Sequence, residues 1–389
     1  MREIEDIVAL SRQPDVRVAV LATLVSVDGS SYRKPGACMA LTPDGRRAGS
    51  ISGGCLERDV EEHAQRVFVS RRSTVIRYDT RGDADPITGT GTGCHGVIEI
   101  LLQWIDCSDP DNPIAAWADG REARWRAAMA TVIESPDEDV ARVGDRTWVM
   151  ADGRVNTTLT DAPLAAAARR AAEEALRDVT PRVESCETSA GPGRLFVRGL
   201  PVPLRLLICG GGDDAKPLVR IGRELGWSVW VFDHREAFAV ATRFPQADRI
   251  VLASAGELPA ELSVDARTVA IVMNHNLRVD TAWVRTLAAR PLAYLGALGS
   301  RRRTLGLLQV LLEEGALQAA DAARVFSPAG LDIGAETPEE IALAMIAEIQ
   351  AIVSGRAGGP LRHRLDAIAS TASSAASADA APRPAAVRS

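Results

Sequence analysis

The strand–glycine turn–helix segment around residue 210 constrains the fold more than any other stretch. An apolar run, LRLLIC, leads into Gly210, Gly212 and Ala215, which have the G-x-G-x-x-A spacing and precede a helical segment. The next apolar run ends at Asp233, where a dinucleotide fold often carries an acid that holds a ribose. Glycine is needed in such a turn because the backbone bends tightly and approaches a pyrophosphate. The sequence therefore predicts an α/β domain of Rossmann-like type with a doubly wound parallel sheet.

The ligand side of this predicted domain carries opposing signals. Asp213 and Asp214 place negative charge at the helix start, where we expect them to cap the helix and compete with a bound anion. His275 follows another apolar run, at the sheet edge where open α/β folds bind ligands. Ser300 and Arg301 open a later helix and form a second candidate anion site. The pattern thus predicts the fold, while NAD(P) or another nucleotide is one alternative for its ligand.

Two stretches of the N-terminal half place a thiol in a glycine-rich turn. The first, GSISGGCLE, puts Cys55 ahead of a predicted helix, whose free N–H groups and dipole favour a thiolate. The second, GTGTGCHG, could wrap backbone amides around an oxyanion or a polar ring system. Its Cys-His pair lacks the ligand spacing of a zinc site. A small buried cysteine is the alternative interpretation of Cys55. The candidate contacts are Gly53, Gly54, Cys55, Gly91, Gly93, Cys94 and His95.

A cationic loop, DGSSYRKPG at 28–36, lies between two predicted strands. The hydroxyls of Ser30 and Ser31, with Arg33 and Lys34, could hold a phosphate. The alternative is a plain surface loop. Of the 45 basic residues, only Lys34 and Lys216 are lysines, and both lie in the stretches singled out here.

Composition excludes several classes of function. The net charge of −6 and the lack of a basic block argue against nucleic acid as a partner. No apolar run approaches the roughly 18 residues of a membrane span. The acidic N-terminus does not resemble a signal peptide, and six unpaired cysteines suit a reducing compartment, so we expect a cytoplasmic protein. The Ala-, Ser-, Pro- and Arg-rich residues 355–389 predict a disordered tail.

These segments together resemble the XdhC/CoxI accessory proteins of molybdenum hydroxylases such as xanthine dehydrogenase. The similar stretches are GSSYRKPGACM, GSISGGCLE, GTGCHGVIEILLQ, CGGGDDAKPL, NHNLRVD, YLGALGSRRR and GLDIGAETPEEIALAMIAEI. The resemblance implies a mixed α+β domain over 1–200, with its signature part at about 16–103, followed by the Rossmann-like domain over 201–354. Residues 104–200 carry no strong signature.

The resemblance implies a maturation factor rather than a turnover enzyme. Such a protein would bind the molybdenum cofactor (molybdopterin), support its sulfuration with a cysteine desulfurase, and deliver it to an apo molybdenum hydroxylase. The hydroxylase could be of the xanthine, carbon monoxide or aldehyde dehydrogenase type, and a homodimer is expected. Cys55 and Cys94 would contact the molybdenum or the incoming sulfur. Two positions depart from the family pattern: Cys38 stands where arginine is frequent, and His95 where a small residue is frequent.

Two other classes of function remain open from the sequence. One is an NAD(P)-dependent oxidoreductase, for which His275 is the only acid–base candidate on the substrate side. The other is a scaffold that binds only proteins and keeps an empty dinucleotide fold. No P-loop is present, so release of a bound cofactor would be driven by stronger binding to the acceptor rather than by nucleotide hydrolysis.

Overall fold

The structure is a computed structural model that describes residues 2–29, 31–54, 56–79, 96–122, 124, 126–200 and 202–363. Six predicted contacts lie outside these ranges, as does the predicted tail from residue 364: Ser30, Cys55, Gly91, Gly93, Cys94 and His95. The described part of the tail ends in a short 3-10 helix, Leu361–His363.

The first sheet has five antiparallel strands in the order β3-β2-β1-β5-β4. Its central strand reads VAVLATLVSVDG, and its apolar residues are buried on both faces because the sheet is covered on both sides. The strands predicted on either side of the cationic loop and the helix predicted after the Cys55 turn are present, with small shifts at their ends, whereas β3 was not predicted. The elements are α1 Arg2–Ser11, β1 Val18–Gly29, β2 Cys38–Leu41, β3 Arg47–Gly49, α2 Glu57–Ser70, β4 Thr74–Asp79 and β5 Gly96–Asp106.

A second antiparallel sheet follows where the sequence carries no family signature. It also has five strands, in the order β8-β7-β6-β10-β9. An alanine-rich helix, α4, covers its outer face with Leu164, Ala168 and Ala172. The elements are α3 Pro113–Glu122, β6 Ala127–Glu134, β7 Arg146–Met150, β8 Val155–Thr157, α4 Ala162–Ala175, β9 Arg182–Thr188 and β10 Gly191–Leu200.

The two antiparallel sheets pack face to face. Side chains from the inner face of β1, such as Leu21, share one apolar core with Met129 of β6 and with Trp117 of α3. The opposite face of the first sheet packs on α2 through Val60 and Ala64. The N-terminal half is therefore layered as helix, sheet, sheet and helix, which matches the predicted mixed α+β class.

The third sheet is parallel throughout and has the order β13-β12-β11-β14-β15-β16. In chain order this is 3-2-1-4-5-6, the order of a dinucleotide-binding fold, so the predicted Rossmann-like domain is confirmed. Helices cover both faces, in two separate cores. The elements are β11 Arg205–Cys209, α5 Ala215–Glu224, β12 Ser228–Asp233, β13 Arg249–Leu252, β14 Thr268–Val272, α6 Leu277–Ala288, β15 Tyr294–Ala297, α7 Arg301–Glu313, α8 Ala319–Ala322, β16 Val325–Phe326 and α9 Pro338–Val353.

Ion pairs join the parallel-sheet domain to the rest of the chain. Glu5 on α1 pairs with Arg121 of α3 at 3.1 Å and with Arg223 of α5 at 2.5 Å. Arg124 donates two hydrogen bonds to the carboxylate of Asp265, just ahead of β14. Both sets of contacts are partly buried, so they hold the two halves together more firmly than exposed pairs would. Separately, no helix in the described ranges has the length and apolar character needed to cross a membrane.

Candidate functional site

Three of the predicted ligand loops leave the same edge of the first sheet. The register pairs Gly29 at the end of β1 with Gly96 at the start of β5. Gly49, which ends β3, pairs with Met39 near the start of β2. Asp79, at the end of β4, lies beside β5 at this same edge. The loop after β1, the turn after β3 and the 80–95 connection therefore leave the sheet toward the same end, although Gly49 is level with Ala22, seven residues before the end of β1.

The cationic loop and the Cys55 turn are in direct contact. The ring of Tyr32 lies against Gly53, and a Cβ at that glycine would come within 3.5 Å of the ring. Glu3 of α1 links the same two loops, since it pairs with Arg33 at 2.6 Å and accepts the backbone N–H of Ser50 at 2.9 Å. The Arg33 charge is therefore neutralised inside the protein.

Lys34 is the cation of this loop that is not engaged by another described side chain. Its side chain is exposed and has no ion pair or hydrogen bond with any described residue. Gly53 and Gly54 in the neighbouring turn are exposed as well. The two contacting loops thus present an exposed ammonium group and exposed main chain, groups suited to a phosphate and to a polar ring edge.

A buried acid shapes the turn that carries Cys55. The Glu57 carboxylate accepts hydrogen bonds from the backbone N–H and the hydroxyl of Ser52 and from the hydroxyl of Ser50. The Ser52 oxygen in turn accepts the backbone N–H groups of Gly54 and Leu56, on either side of position 55. Burial raises the pKa of Glu57, but these hydrogen bonds outweigh it and hold the pKa below its ordinary value. The turn is therefore fixed by an ionised carboxylate.

The next turn of α2 is held by a second polar contact that the sequence pattern did not reveal. The Tyr78 hydroxyl donates a hydrogen bond to the Asp59 carboxylate. Burial first, and then this acid, raise the pKa of Tyr78, so the phenol stays protonated. This contact ties β4 to the beginning of α2.

Cys38, for which the resemblance implied a departure from the family pattern, is fully buried at the start of β2. The Arg198 side chain of β10 reaches it across the two sheets, with Nη1 2.8 Å from the Cys38 sulfur. The guanidinium also stacks on the Trp117 ring, 5.0 Å from its centroid. A cation from a distant strand thus approaches the Cys38 sulfur. No local pattern around Arg198 signals this contact.

The glycine turn after β11 has the close packing that its sequence predicts. Gly210 has φ of +129°, and a Cβ there would lie 2.6 Å from the carbonyl oxygen of Met273. Ala215, the third small position of the motif, is the first residue of α5 and is fully buried. The turn therefore lies in the crevice between β11 and β14, at the point where the strand order reverses.

The acids around this crevice are already engaged. Asp233 is fully buried and accepts the N–H of Gly211 at 2.7 Å, together with the backbone and guanidinium N–H groups of Arg235. A ribose at this position would have to displace an internal clamp. Asp213 pairs with Lys216 at 2.6 Å and with Arg243 at 3.0 Å.

The predicted capping role of Asp214 is wrong. Asp214 is the N-cap residue of α5, but its side chain makes no capping hydrogen bond. Its carboxylate instead meets the ring Nε2 of His275 at 2.7 Å, and His275 itself has a positive φ of +57°. His275 thus reaches the crevice as a hydrogen-bond partner of Asp214.

The second candidate anion site is also partly used within the fold. The Ser300 hydroxyl accepts the backbone N–H of Arg303 and so caps α7. Arg301 is exposed and pairs with no described residue.

Asn274 is a crevice residue that sequence reasoning missed. Its amide nitrogen donates to the carbonyl oxygen of Cys209 at 2.9 Å and to Asp280 at 3.2 Å. Its amide oxygen is buried without a partner among the described residues. The signal was present in the sequence, since Asn274 lies two positions after the end of β14, the strand beside the switch point.

Within the described ranges, no group of three or more His, Cys, Asp or Glu side chains has the geometry to hold a metal ion. The cysteines described there are all free: Cys38, Cys107, Cys186 and Cys209. Cys55 and Cys94 belong to the undescribed positions, so their role as metal contacts stays a prediction.

Comparison with known proteins agrees with this architecture. The model of the XdhC and CoxI family matches residues 15–79, and that of the XdhC Rossmann domain matches residues 206–349. A Bacillus subtilis (strain 168) protein, named as a probable subunit of xanthine dehydrogenase, is 31% identical over 86% of this chain and 93% of its own length. The molybdenum cofactor insertion chaperone PaoD of Escherichia coli (strain K12) is 23% identical over 86% of this chain and 83% of its own.

A solved structure extends the likeness to three dimensions. The crystal structure of a xanthine dehydrogenase from Bacillus halodurans superimposes with a TM-score of 0.73 at 26% identity, covering 92% of this chain and 97% of that one. The two family models, the relative that aligns over nearly its whole length, and this shared fold lead to one conclusion. The chain belongs to the XdhC and CoxI family.

Proposed function

We propose that this protein binds the molybdenum cofactor and delivers it to an apo molybdenum hydroxylase of the xanthine dehydrogenase type. The observation that carries the proposal is the contact between the cationic loop and the turn that carries Gly53, at the end of the first sheet from which the 80–95 connection leaves. The names of two relatives support it, since one is a molybdenum cofactor insertion chaperone and the other a probable part of a xanthine dehydrogenase. The cofactor is cargo here, so no turnover chemistry is required of the chain.

The chemistry of the loop edge suits this cargo. Molybdopterin offers a phosphate, a polar pterin ring and a soft metal held by sulfur. Lys34 is the open cation of the cationic loop and would bind the phosphate. The exposed backbone of Gly53 and Gly54 would approach the pterin. Cys55 and Cys94 would face the metal or the sulfur that is added during maturation.

The finer parts of the proposal concern partners and place. We place this activity in the cytoplasm, with a cysteine desulfurase as the source of sulfur. Release would follow from tighter binding of the cofactor by the acceptor enzyme. The chain would act as a homodimer.

Co-purification tests the proposal. Expressed in a host that makes molybdenum cofactor, the wild-type chain is expected to retain near-stoichiometric molybdenum and pterin. Cys55→Ala and Cys94→Ala should lose most of both, because they remove the soft ligands. Cys107→Ala is the matched control, since Cys107 follows β5 at the opposite edge of the sheet. Wild-type protein without pterin, or equal loss in the Cys107 variant, would contradict the proposal.

The lysines allow a second test of the same site. Lys34→Ala should weaken cofactor binding by about tenfold, the cost of losing one charge-assisted hydrogen bond to phosphate. Lys216→Ala is the control, because Lys216 lies on α5 and is paired with Asp213. Equilibrium titration with free cofactor measures both. Equal effects of the two substitutions would show that Lys34 does not contact the cofactor.

A nucleotide bound at the crevice between β11 and β14 is a second candidate function. It is favoured by the strand order, by the glycine turn and by the unpaired amide oxygen of Asn274. The Asp233 clamp and the Asp214–His275 pair oppose it. A change in NADPH fluorescence on mixing, abolished in Gly210→Ala, would establish this site. An unchanged signal at high protein concentration would exclude NADPH as its ligand.

A further inference from the structure

The outer face of α7 is exposed to solvent, and its residues follow an unusual sequence pattern. Its inward side is buried through Thr304, Leu307, Leu308 and Leu311. The helix exposes three large apolar residues, Leu305 at 54%, Val310 at 45% and, nearer its flank, Leu312 at 40%. The outward residues, which we call the α7 face, are Arg302, Leu305, Gly306, Gln309, Val310 and Glu313.

The α7 face is complementary to itself when reversed. About a centre between Leu307 and Leu308, Arg302 is related to Glu313, Leu305 to Val310, and Gly306 to Gln309. Each reversal therefore sets a cation against an anion, an apolar residue against an apolar residue, and the smallest residue against a larger one. This pattern suits an antiparallel contact about a two-fold axis, in which a residue of one copy meets its counterpart in the other and the reverse contact is also made.

The charged ends of the α7 face are free to take a partner. Arg302 makes no ion pair with any described residue, and Glu313 accepts only a hydrogen bond from Gln309 at 2.9 Å. The two lie eleven positions apart on one helix, or about 16 Å, so they cannot pair with each other.

Gly306 supports the same interpretation. A Cβ at this position would meet no atom within 4 Å, so packing within the chain does not require glycine there. Glycine in the middle of a helix destabilises it relative to alanine. Its small size gives a second helix room to approach the centre of the face.

The helix itself is held firmly on its other flank. Arg303 pairs with the buried Asp280 of α6 at 2.7 Å, and Arg285 of α6 pairs with Glu314 at 2.5 Å. The α7 face is therefore presented by a fixed helix, which lowers the ordering cost of an encounter.

We propose that the α7 face is the two-fold contact between two copies of this chain, with the α7 helices antiparallel and Arg302 of each copy opposite Glu313 of the other. The inference does not depend on the cargo, and it adds a specific surface to the homodimer. The contact spans about 17 Å of helix, which is short beside the usual ~800 Å² per partner. The dimer is accordingly expected to be reversible and dependent on protein concentration.

Charge reversal tests the contact without threatening the fold. Arg302→Glu puts an acid in the first turn of α7 and Glu313→Arg puts a base in the last, and both changes favour the helix dipole. Each single variant creates two repulsive pairs in a dimer. Its dissociation constant by sedimentation velocity should therefore rise about tenfold or more over wild type.

Restoration is the decisive measurement. The double variant Arg302→Glu/Glu313→Arg should dimerise like wild type, since both pairs are rebuilt with exchanged signs. A mixture of the two single variants should form heterodimers while each remains monomeric alone. A wild-type chain that is monomeric up to about 100 µM, or a dimer that is indifferent to the single reversals, would overturn the proposal.

Discussion

At the scale of single residues, the acids decide how the loops at the sheet edge are held. Glu3 removes Arg33 from the set of free cations, and Glu57 organises the turn around position 55. Neither acid binds cargo in the proposal. Their effect is to fix the loops before any ligand arrives, which lowers the ordering cost of binding.

The Glu57 network leads to a prediction about stability and binding together. Glu57→Gln should lower the free energy of unfolding by about 2 kcal/mol, because the Ser50 and Ser52 groups lose a charged, buried acceptor. The retained pterin should fall as well, since the Cys55 turn loosens. Chemical denaturation and pterin assay measure the two effects.

A control on the same helix makes this test specific. Glu61→Gln removes an exposed acid of α2, paired with Arg47 on the surface, and should change the unfolding free energy by less than about 0.5 kcal/mol. Equal effects of the two substitutions would contradict the role given to Glu57.

Individual residue roles were predictable only where the pattern is local. The loops that carry Lys34 and Gly53 could be selected from the sequence because cations, hydroxyls and glycines cluster there. The neutralisation of Arg33 could not, because Glu3 lies thirty positions away on another element. The same holds for Asp214, whose partner His275 arrives from a distant strand end.

At the scale of elements, the turn between β11 and α5 is held by its neighbour in the sheet. Asp233, at the end of β12, accepts the Gly211 N–H and so fixes the glycine turn from the side. Burial raises the pKa of this carboxyl, but the hydrogen bonds from Arg235 and Gly211 have a larger, opposite effect. The pKa of Asp233 is therefore lowered to about 2. The turn is thus clamped by an anion of the protein itself.

This clamp makes the stability of the chain depend on pH. A carboxyl whose folded pKa lies below its unfolded value stabilises the fold above the unfolded pKa and ceases to do so as pH falls through the folded one. At pH 6 the free energy of unfolding of wild type should exceed that of Asp233→Asn by about 2 kcal/mol. This difference should shrink as the pH falls from 4 to 2. Denaturant titrations across this range measure it.

The exposed Asp332 supplies the comparison. Asp332→Asn should leave the unfolding free energy close to that of wild type, because the Asp332 side chain makes no hydrogen bond or ion pair with a described residue. If the difference in unfolding free energy between wild type and Asp233→Asn stays constant down to pH 2, the charge of the Asp233 carboxylate does not contribute to stability.

Elements differ in how well the sequence foretold them. The parallel sheet could be predicted because each strand is a continuous apolar run followed by glycine or a polar residue. The second antiparallel sheet was not recognised as a unit. Its strands are rich in alanine and threonine, such as AAMATVIE in β6, and the pairing of β6 with β10 joins residues some sixty positions apart.

At the scale of the whole molecule, Glu5 connects the two halves. Its carboxylate bridges Arg121 of α3 and Arg223 of α5, from opposite sides of the domain boundary. We expect Glu5→Ala to increase amide hydrogen exchange in α1 and α5 together, since the ion pair that joins these helices is lost. Arg223 keeps its contact with Asp248, whereas Arg121 loses the carboxylate it pairs with.

An exposed pair of the same chemical type gives the control for this coupling. Glu122→Ala breaks only the surface contact with Arg12 and should change exchange in neither helix beyond its own turn. Faster exchange confined to α1 in the Glu5 variant would mean that the halves are joined by other contacts. Mass spectrometry of peptides that cover the two helices resolves the cases.

The short helix α1 has a practical consequence for anyone who handles the protein. Glu3 on this helix holds the loop edge, and Glu5, two residues later, holds the parallel-sheet domain. An affinity tag fused to the first residue would therefore begin two positions from the loop contact and four from the domain contact. A tag placed after residue 389 avoids both, and it is the sensible choice for every binding measurement described above.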